Sequence, residues 1–265
     1  ILIREKCMKV VILAGGYGTR IRDVAYDIPK PMIPIGPFPI LWHIMKSYAH
    51  FGNTEFIVCL GYKGQSIKDF FLNYETHTRD FTINLGSTSG INYHNNYSEL
   101  GWKVTLIDTG AQSMTGARIA RIRNFVQDED FMLTYGDGVS DVDISQLETF
   151  HKSHGKALTV TGVRPPGRFG EMRSSDSGKI LEFNEKPQAT DGRINGGFFV
   201  ASPKVFDYLD NSEDLVFEQD PIRNLVKDEQ LMMFEHNGFW QPMDTSRDHQ
   251  LLNSLYESGK APWVR

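Results

Sequence analysis

The amino-acid sequence predicts an α/β fold: a mixed, mainly parallel sheet with helices on both faces. Three observations predict it. Short apolar runs rich in β-branched residues alternate with amphipathic stretches through the first half of the chain, the pattern of βαβ units. Glycine-rich turns follow directly on two of those runs, at 14–18 and 136–138, where strands of such a sheet would end. From about residue 157 the pattern becomes strand-rich, with glycine and proline punctuation.

Taken in order, KVVIL at 9–13 reads as a buried strand, followed by a helix at 40–51, the strand FIVCL and a helix around 66–75. The strands FTINL and KVTLI, a helix at 117–126 and the strand FMLTY come next. In the second half ALTVTGV, KILEFNEKP, RINGGFFVAS and LMMFEH are expected to complete the sheet. SRDHQLLNSLYESG places Leu251, Leu252, Leu255 and Tyr256 at the spacing of a helix with one buried face. With no internal repeat and no low-complexity linker, residues 1–265 are expected to form one domain. Residues 1–7 read as an N-terminal extension ahead of Met8, with the chain dividing functionally at about 156/157.

The bulk numbers are ordinary for a soluble globular fold. The chain has 265 residues, 40% of them hydrophobic, which is enough to bury a sizeable core. A net charge of −5 argues against a general nucleic-acid binder, whose affinity rests on clustered cations. Two cysteines, Cys7 and Cys59, make neither a disulfide framework nor a metal knuckle, and Cys59 reads as a core residue. No apolar stretch approaches the length of a membrane span, so a cytoplasmic location is expected. The eight histidines form no HExxH, so a catalytic zinc is not expected.

The most informative string is LAGGYGTR at 13–20. Gly15, Gly16 and Gly18 allow close backbone approach and positive φ, and turn amides facing a concavity attract an anion. Arg20 adds a planar cationic fork suited to phosphate oxygens. A P-loop is excluded, because none of Lys156, Lys179 and Lys260, the lysines that follow a glycine, precedes Ser or Thr. The GxGxxG fingerprint is broken by Ile21 in its third glycine slot. Lys30, set between Pro29 and Pro31, is expected on a stiff extended strut. Asp137 in YGDGV and Asp244 in PMDT are isolated carboxylates, the kind of hard oxygen ligand that holds Mg²⁺ beside phosphates. Thr115 is a candidate helix cap, with Arg118 in the first turn, where the helix dipole disfavours a cation.

LAGGYGTR, PKPMIPIG at 29–36, TYGDG at 134–138, EKP at 185–187, NGGFF at 195–199 and PMDT at 242–245 together resemble the sugar-1-phosphate nucleotidylyltransferases, in order and spacing, along nearly the whole chain. DTGAQSMTGAR, PPGRFGEM and GFWQPMDT most resemble the glucose-1-phosphate cytidylyltransferases within that family. The resemblance implies a Rossmann-like sheet of the nucleotide-diphospho-sugar transferase type. It also implies an in-line, Mg²⁺-dependent attack by glucose 1-phosphate on CTP, giving CDP-glucose and pyrophosphate.

By that resemblance, Leu13, Ala14, Gly15, Gly16, Tyr17, Gly18, Thr19, Arg20 and Lys30 grip the nucleotide, with Ser113, Arg118 and Gly136 as further contacts. Lys186 would meet the sugar phosphate, while Glu185, Asn195 and Gly196 would meet the sugar. Asp137 and Asp244 would hold Mg²⁺, and Arg20, Lys30, Asp137, Lys186 and Asp244 would carry the chemistry. Where the family has a second glycine after Gly116, this chain has Ala117. The partners implied are CTP and glucose 1-phosphate, with no nucleic acid, no membrane and a homo-oligomeric state. Supply of CDP-glucose for the deoxysugars of surface polysaccharides is the implied setting. The segment 84–102 departs most from the family and is a candidate interface or lid. The sequence leaves dTTP or UTP open as the nucleotide, and also a non-catalytic nucleotide-sugar regulator.

Overall fold

A computed structural model describes residues 7–18, 21, 27–85, 90–94, 99, 101–126, 128–165, 171–175, 177, 179–184 and 192–265. Seven strands build the central sheet: β1 (Lys9–Leu13), β2 (Glu55–Leu60), β3 (Lys103–Asp108), β4 (Phe131–Tyr135), β5 (Leu158–Val163), β6 (Ile194–Ala201) and β7 (Leu231–His236). Their spatial order is β7-β5-β6-β4-β1-β2-β3. Neighbours run parallel except at β6, which is antiparallel to both β5 and β4. The sheet is therefore mixed and mainly parallel, as the alternation of runs implies.

The sequence of β1 explains its place at the centre. Successive side chains of a strand point to opposite faces, and KVVIL is apolar on both. Val10 and Ile12 enter one core layer with α1 (Ile40–His50), whose Ile40, Leu41, Ile44, Met45 and Tyr48 are all buried. Val11 and Leu13 enter the other layer, with Ile57, Cys59, Phe131, Leu133 and Phe199 from neighbouring strands. That second face is covered by Ile119 of α3 (Thr115–Arg121) and Leu225 of α5 (Asp220–Lys227), once α2 (Gly64–Leu72) and α4 (Ile144–His154) are counted in chain order. Full burial of each such side chain contributes about 1.5–3 kcal/mol. Cys59 is fully buried, as its apolar context implies, and burial pushes its thiol up to about 12.

Several elements differ from expectation. FTINL does not join the sheet; only Phe81–Thr82 is extended, pairing with Asn92–Tyr93 in a small exposed ribbon. KILEFNEKP contributes Ile180–Asn184 to a separate ribbon with Glu171–Ser174 instead of completing the sheet. The helix expected at 117–126 breaks into Thr115–Arg121 and Arg123–Val126, and the one near 66–75 ends at Leu72 before a second short helix at Tyr74–Thr78. Lys30–Met32 forms a 3₁₀ turn and not an extended strut. The carbonyls of Pro29 and Lys30 take the amides of Met32 and Ile33, and the prolines have no amide to sacrifice. The 84–102 segment lies partly outside the described residues. Among the described residues no helix is long and apolar enough to cross a membrane.

Candidate active site

Register places the site. In the parallel pairs Leu13 lies opposite Cys59 on one side and Tyr135 on the other, and Leu60 lies opposite Asp108. The carboxyl ends of β1, β2, β3 and β4 therefore finish nearly level, and the loops that leave them share one edge. Backbone hydrogen bonds lock these loops together: Tyr62 N donates to Gly15 O (3.2 Å) and Gly136 N to Leu13 O (3.0 Å). A Cβ on Gly136 would stand 2.9 Å from Leu13 O, so only glycine allows this approach.

Between the loops opens a cavity of about 460 Å³. It is lined by Leu13, Ala14, Gly15, Gly16, Tyr17, Gly18, Lys30, Ser113, Arg118, Gly136, Asp137 and Asp244, all candidates from the sequence. Thr19, Arg20, Glu185 and Lys186 lie outside the described residues. Asn195 and Gly196 do not line the cavity but stand beside it. Asn195 Nδ2 donates to the Tyr135 hydroxyl (3.1 Å), and Trp240 Nε1 donates to Gly196 O (2.7 Å).

At the mouth, two carboxylates separated by over a hundred residues meet on one ammonium. Lys30 Nζ lies 2.7 Å from Asp137 Oδ2 and 2.6 Å from Asp244 Oδ1. The antiparallel ribbon Gly138–Ser140 with Trp240–Pro242 brings the two aspartates together. Pro242 pairs with Gly138, and Met243 N then donates to Asp137 O (2.8 Å). Asp244 sits just ahead of α6 (Ser246–Glu257), whose capping box pairs Thr245 with Asp248. Asp248 Oδ2 also accepts the Asp244 amide (3.1 Å), fixing the backbone from which that carboxylate projects. Gly18, at φ +58°, backs Lys30 closely; a Cβ there would stand 3.0 Å from Lys30 Cβ. Burial opposes the charge on Lys30, but the attraction and hydrogen bonds of Asp137 and Asp244 outweigh it, raising the ammonium above its ordinary range.

Arg118 is buried, and its guanidinium is held by the protein's own acceptors. Nη1 donates to Leu60 O (2.9 Å), Thr109 Oγ1 (2.8 Å) and Gly110 O (2.8 Å), and Nη2 to Gly15 O (3.0 Å). Thr115 is the first residue of its helix, not the cap, which is Met114. Its hydroxyl accepts Phe217 N (2.9 Å) and donates to Glu218 Oε2 (2.6 Å). Ser113 Oγ receives Arg121 Nη1 at 2.5 Å and donates to Glu213 Oε1 at 3.2 Å.

The sequence reading did not single out Gln112, Tyr135, Glu213, Glu218 or Asp248. Gln112 accepts the Tyr17 hydroxyl (2.8 Å) across the cavity mouth, and Tyr17 packs on Tyr62 with centroids 4.8 Å apart. Tyr135 was legible as the last residue of the apolar run that leads into the turn carrying Asp137. The two glutamates carried no signal, because exposed acids in an ordinary loop are usually just solvated.

The residues fit a divalent cation. Two hard carboxylates already gather a positive charge, and among the described residues no cluster of three or more ligating side chains competes for that role. Magnesium is commonly held by one or two carboxylates together with substrate phosphates.

Comparison with known proteins agrees with this geometry. A family model described as nucleotidyl transferase matches residues 9–245. The chain is 49% identical to glucose-1-phosphate cytidylyltransferase of Salmonella typhi, over 97% of this chain and 98% of that protein. Its likeness to the same-named protein of Salmonella typhimurium has the same extent. The crystal structure of HddC from Yersinia pseudotuberculosis superposes with a TM-score of 0.67 at 23% identity, covering 94% of this chain and 99% of that one, a likeness of fold. With its motifs in register and its matched span running from β1 to the second aspartate, the chain belongs to the nucleotidyl transferase family.

Proposed function

We propose that this chain transfers a cytidylyl group from CTP to glucose 1-phosphate, forming CDP-glucose and pyrophosphate. The observation that carries the reading is the meeting of Asp137, Asp244 and Lys30 beside the glycine turn, at the mouth of one cavity. The choice of CTP and glucose rests on whole-length similarity to proteins named for that activity.

In this reading, a phosphate oxygen of glucose 1-phosphate bonds to the α-phosphorus of CTP. The bond from that phosphorus to the bridging oxygen breaks, and its electron pair leaves with pyrophosphate. The nucleophile is already an anion near neutral pH, so no side chain has to remove a proton. The work is to hold two mutually repelling anions in line and offset the charge that develops. The glycine turn offers backbone donors, and Lys30 an ammonium held at the mouth by two carboxylates. Arg20 and Lys186 belong to the same proposal, as triphosphate and sugar-phosphate contacts. Asp137 and Asp244 would hold Mg²⁺, which when bound supplies positive charge to the phosphate oxygens. Ser113 and Gly136 line the nucleotide side, while Glu185, Asn195 and Gly196 serve the sugar. Arg118 serves the nucleotide by bracing the loops that contact it. A single domain, a cytoplasmic location and a homo-oligomer complete the reading.

The test is a screen of CTP, dTTP, UTP and GTP with glucose 1-phosphate and Mg²⁺, following pyrophosphate release and weighing the nucleotide sugar. CDP-glucose formed preferentially from CTP is expected. Equal use of the other nucleotides would overturn the CTP assignment, and binding without pyrophosphate release would overturn the catalytic one.

A further inference from the structure

Glu218 lies in the loop before α5, remote in sequence from every motif described above, yet its carboxylate reaches the rim of the cavity. One oxygen accepts the Tyr135 hydroxyl, and the other accepts the Thr115 hydroxyl at 2.6 Å. Both of those residues line the cavity. Tyr135 also receives Asn195 Nδ2, and Asn195 Oδ1 is fixed by the Gly197 amide at 2.8 Å. Gly197 makes this possible: at φ +79°, its absent Cβ would stand 2.5 Å from the Tyr135 ring. The result is a chain of neutral donors ending on an exposed carboxylate.

Glu213, at the same rim, offers a contrast. It faces the Arg121 guanidinium at 3.6 Å, so its charge is matched within the protein. The hydrogen-bond partners of Glu218 among the described residues are two hydroxyls. Each carboxylate oxygen can accept about two hydrogen bonds, so acceptor capacity remains on both. An anchored carboxylate flanked by a phenol, a threonine hydroxyl and an amide suits neutral, hydroxyl-rich rings. Phosphates, being anionic, would be repelled and turned toward Lys30.

We propose that Glu218 is a specificity-determining residue that accepts hydrogen bonds from a vicinal hydroxyl pair of a substrate ring, either the nucleotide ribose or the hexose, with Tyr135 and Thr115 holding it in place. This rests on the cytidylyltransferase reading above and names a residue which that reading does not use.

The experiment measures binding of CTP, 2′-deoxy-CTP and 3′-deoxy-CTP by titration calorimetry. Turnover of glucose 1-phosphate against its 2-, 3- and 4-deoxy analogues is followed alongside, for wild type, Glu218→Gln and Glu218→Ala. The wild type is expected to prefer one hydroxylated ligand over its deoxy analogue by about 10- to 100-fold, the range of one hydrogen bond to a charged group. In Glu218→Ala that preference collapses toward unity, and in Glu218→Gln it falls part of the way. Collapse in the nucleotide arm assigns the ribose, and collapse in the hexose arm assigns the sugar. Unchanged preferences in both variants, whether or not overall activity falls, would leave Glu218 as a brace for Tyr135 and overturn the proposal. Wild-type binding without CDP-glucose formation would sink the catalytic reading instead, and the nucleotide binding ratios would still test Glu218. Because Glu218 is exposed, both variants are expected to melt like wild type.

Discussion

Replacing Lys30 with methionine probes the centre of the site most directly. The thioether keeps the apolar stem but removes the ammonium that joins Asp137 and Asp244, at 2.7 and 2.6 Å. A hydrogen bond between charged partners contributes about 1.5–3 kcal/mol when shielded from water. Here the lysine side chain is only 11% exposed, but the aspartates are 37% and 25% exposed, so water can solvate them again once the cation is gone. Screening pulls the two contacts together down to about 2 kcal/mol, residual repulsion between the carboxylates included. For a chain of this size that lowers Tm by about 4–6 °C. Thermal melts of wild type and Lys30→Met, with and without millimolar Mg²⁺ and without nucleotide, read the effect. Two aspartates freed of their ammonium should take Mg²⁺ more readily, so added Mg²⁺ should raise the variant's Tm more than the wild type's. Turnover should fall by about 10²- to 10³-fold, as for loss of other charge-stabilising donors. Equal melting temperatures and an equal response to Mg²⁺ would refute the idea that the three groups form one electrostatic unit.

Three other outcomes follow from particular contacts. Asp137→Asn is expected to abolish Mg²⁺-dependent pyrophosphate release while far-UV circular dichroism stays native; near-normal turnover would remove Asp137 from the site. His151 is buried beside Thr159 (2.8 Å), with His154 sharing that hydroxyl (2.7 Å), Asp130 at 4.0 Å and Lys156 next to His154. Burial, reinforced by His154, lowers His151 from 6.5 to about 4, so the unfolded chain binds its proton first as pH falls. Stability is then whole above pH 6.5 and declines toward pH 4 by up to about 3 kcal/mol, and His151→Leu should flatten that slope in melts taken across the range. Gly15→Ala is expected to weaken nucleotide binding at least tenfold, because the new methyl would sit 2.2 Å from Arg118 Nη1. Wild-type affinity in a titration would show that the clamp can move aside.

Much of this was legible in the sequence, but unevenly. The apolar runs marked β1, β2 and β4 correctly because buried parallel strands are hydrophobic on both faces and need no alternation, whereas β3, at the edge of the sheet, is only half-buried and was marked by Val104, Leu106 and Ile107 alone. The same cue misled at FTINL, where only Phe81–Thr82 pairs, in a ribbon outside the central sheet, and Ile83 and Leu85 stay exposed. The helices Ile144–His154 and Asp220–Lys227 escaped notice. Their polar faces dominate their composition, although Asp143 caps the first through the Gln146 amide and Gly155 closes it at φ +65°. Asp137 and Asp244 could be named from their motifs, but nothing local says that they meet. That follows from the pairing of Pro242 with Gly138, which joins two very short strands with no periodic signature. Glu218 was invisible for a similar reason, since its significance lies in the two hydroxyls it touches.

Arg118 shows how the loop geometry and the glycines depend on one another. Its acceptors are Gly15 O after β1, Leu60 O at the end of β2, and Thr109 Oγ1 and Gly110 O after β3, so one cation ties three loops along the edge where the strands end. Gly15 and Gly61 are both required by that cation: a Cβ on either would fall 2.2 and 2.5 Å, respectively, from Arg118 Nη1. The glycine-rich turn therefore serves two purposes, lining the cavity while opening space behind its backbone for a buried guanidinium. Carbonyls that accept from a cation draw electron density away from their own peptide N–H groups and make them better donors. In the proposed nucleotide complex, a buried arginine behind the turn would thus add to the pull on the phosphates in front of it without touching them. Arg118 was expected in the first turn of a longer helix, but the helix is only Thr115–Arg121 and Arg118 falls in its last turn, where the dipole does not oppose a cation.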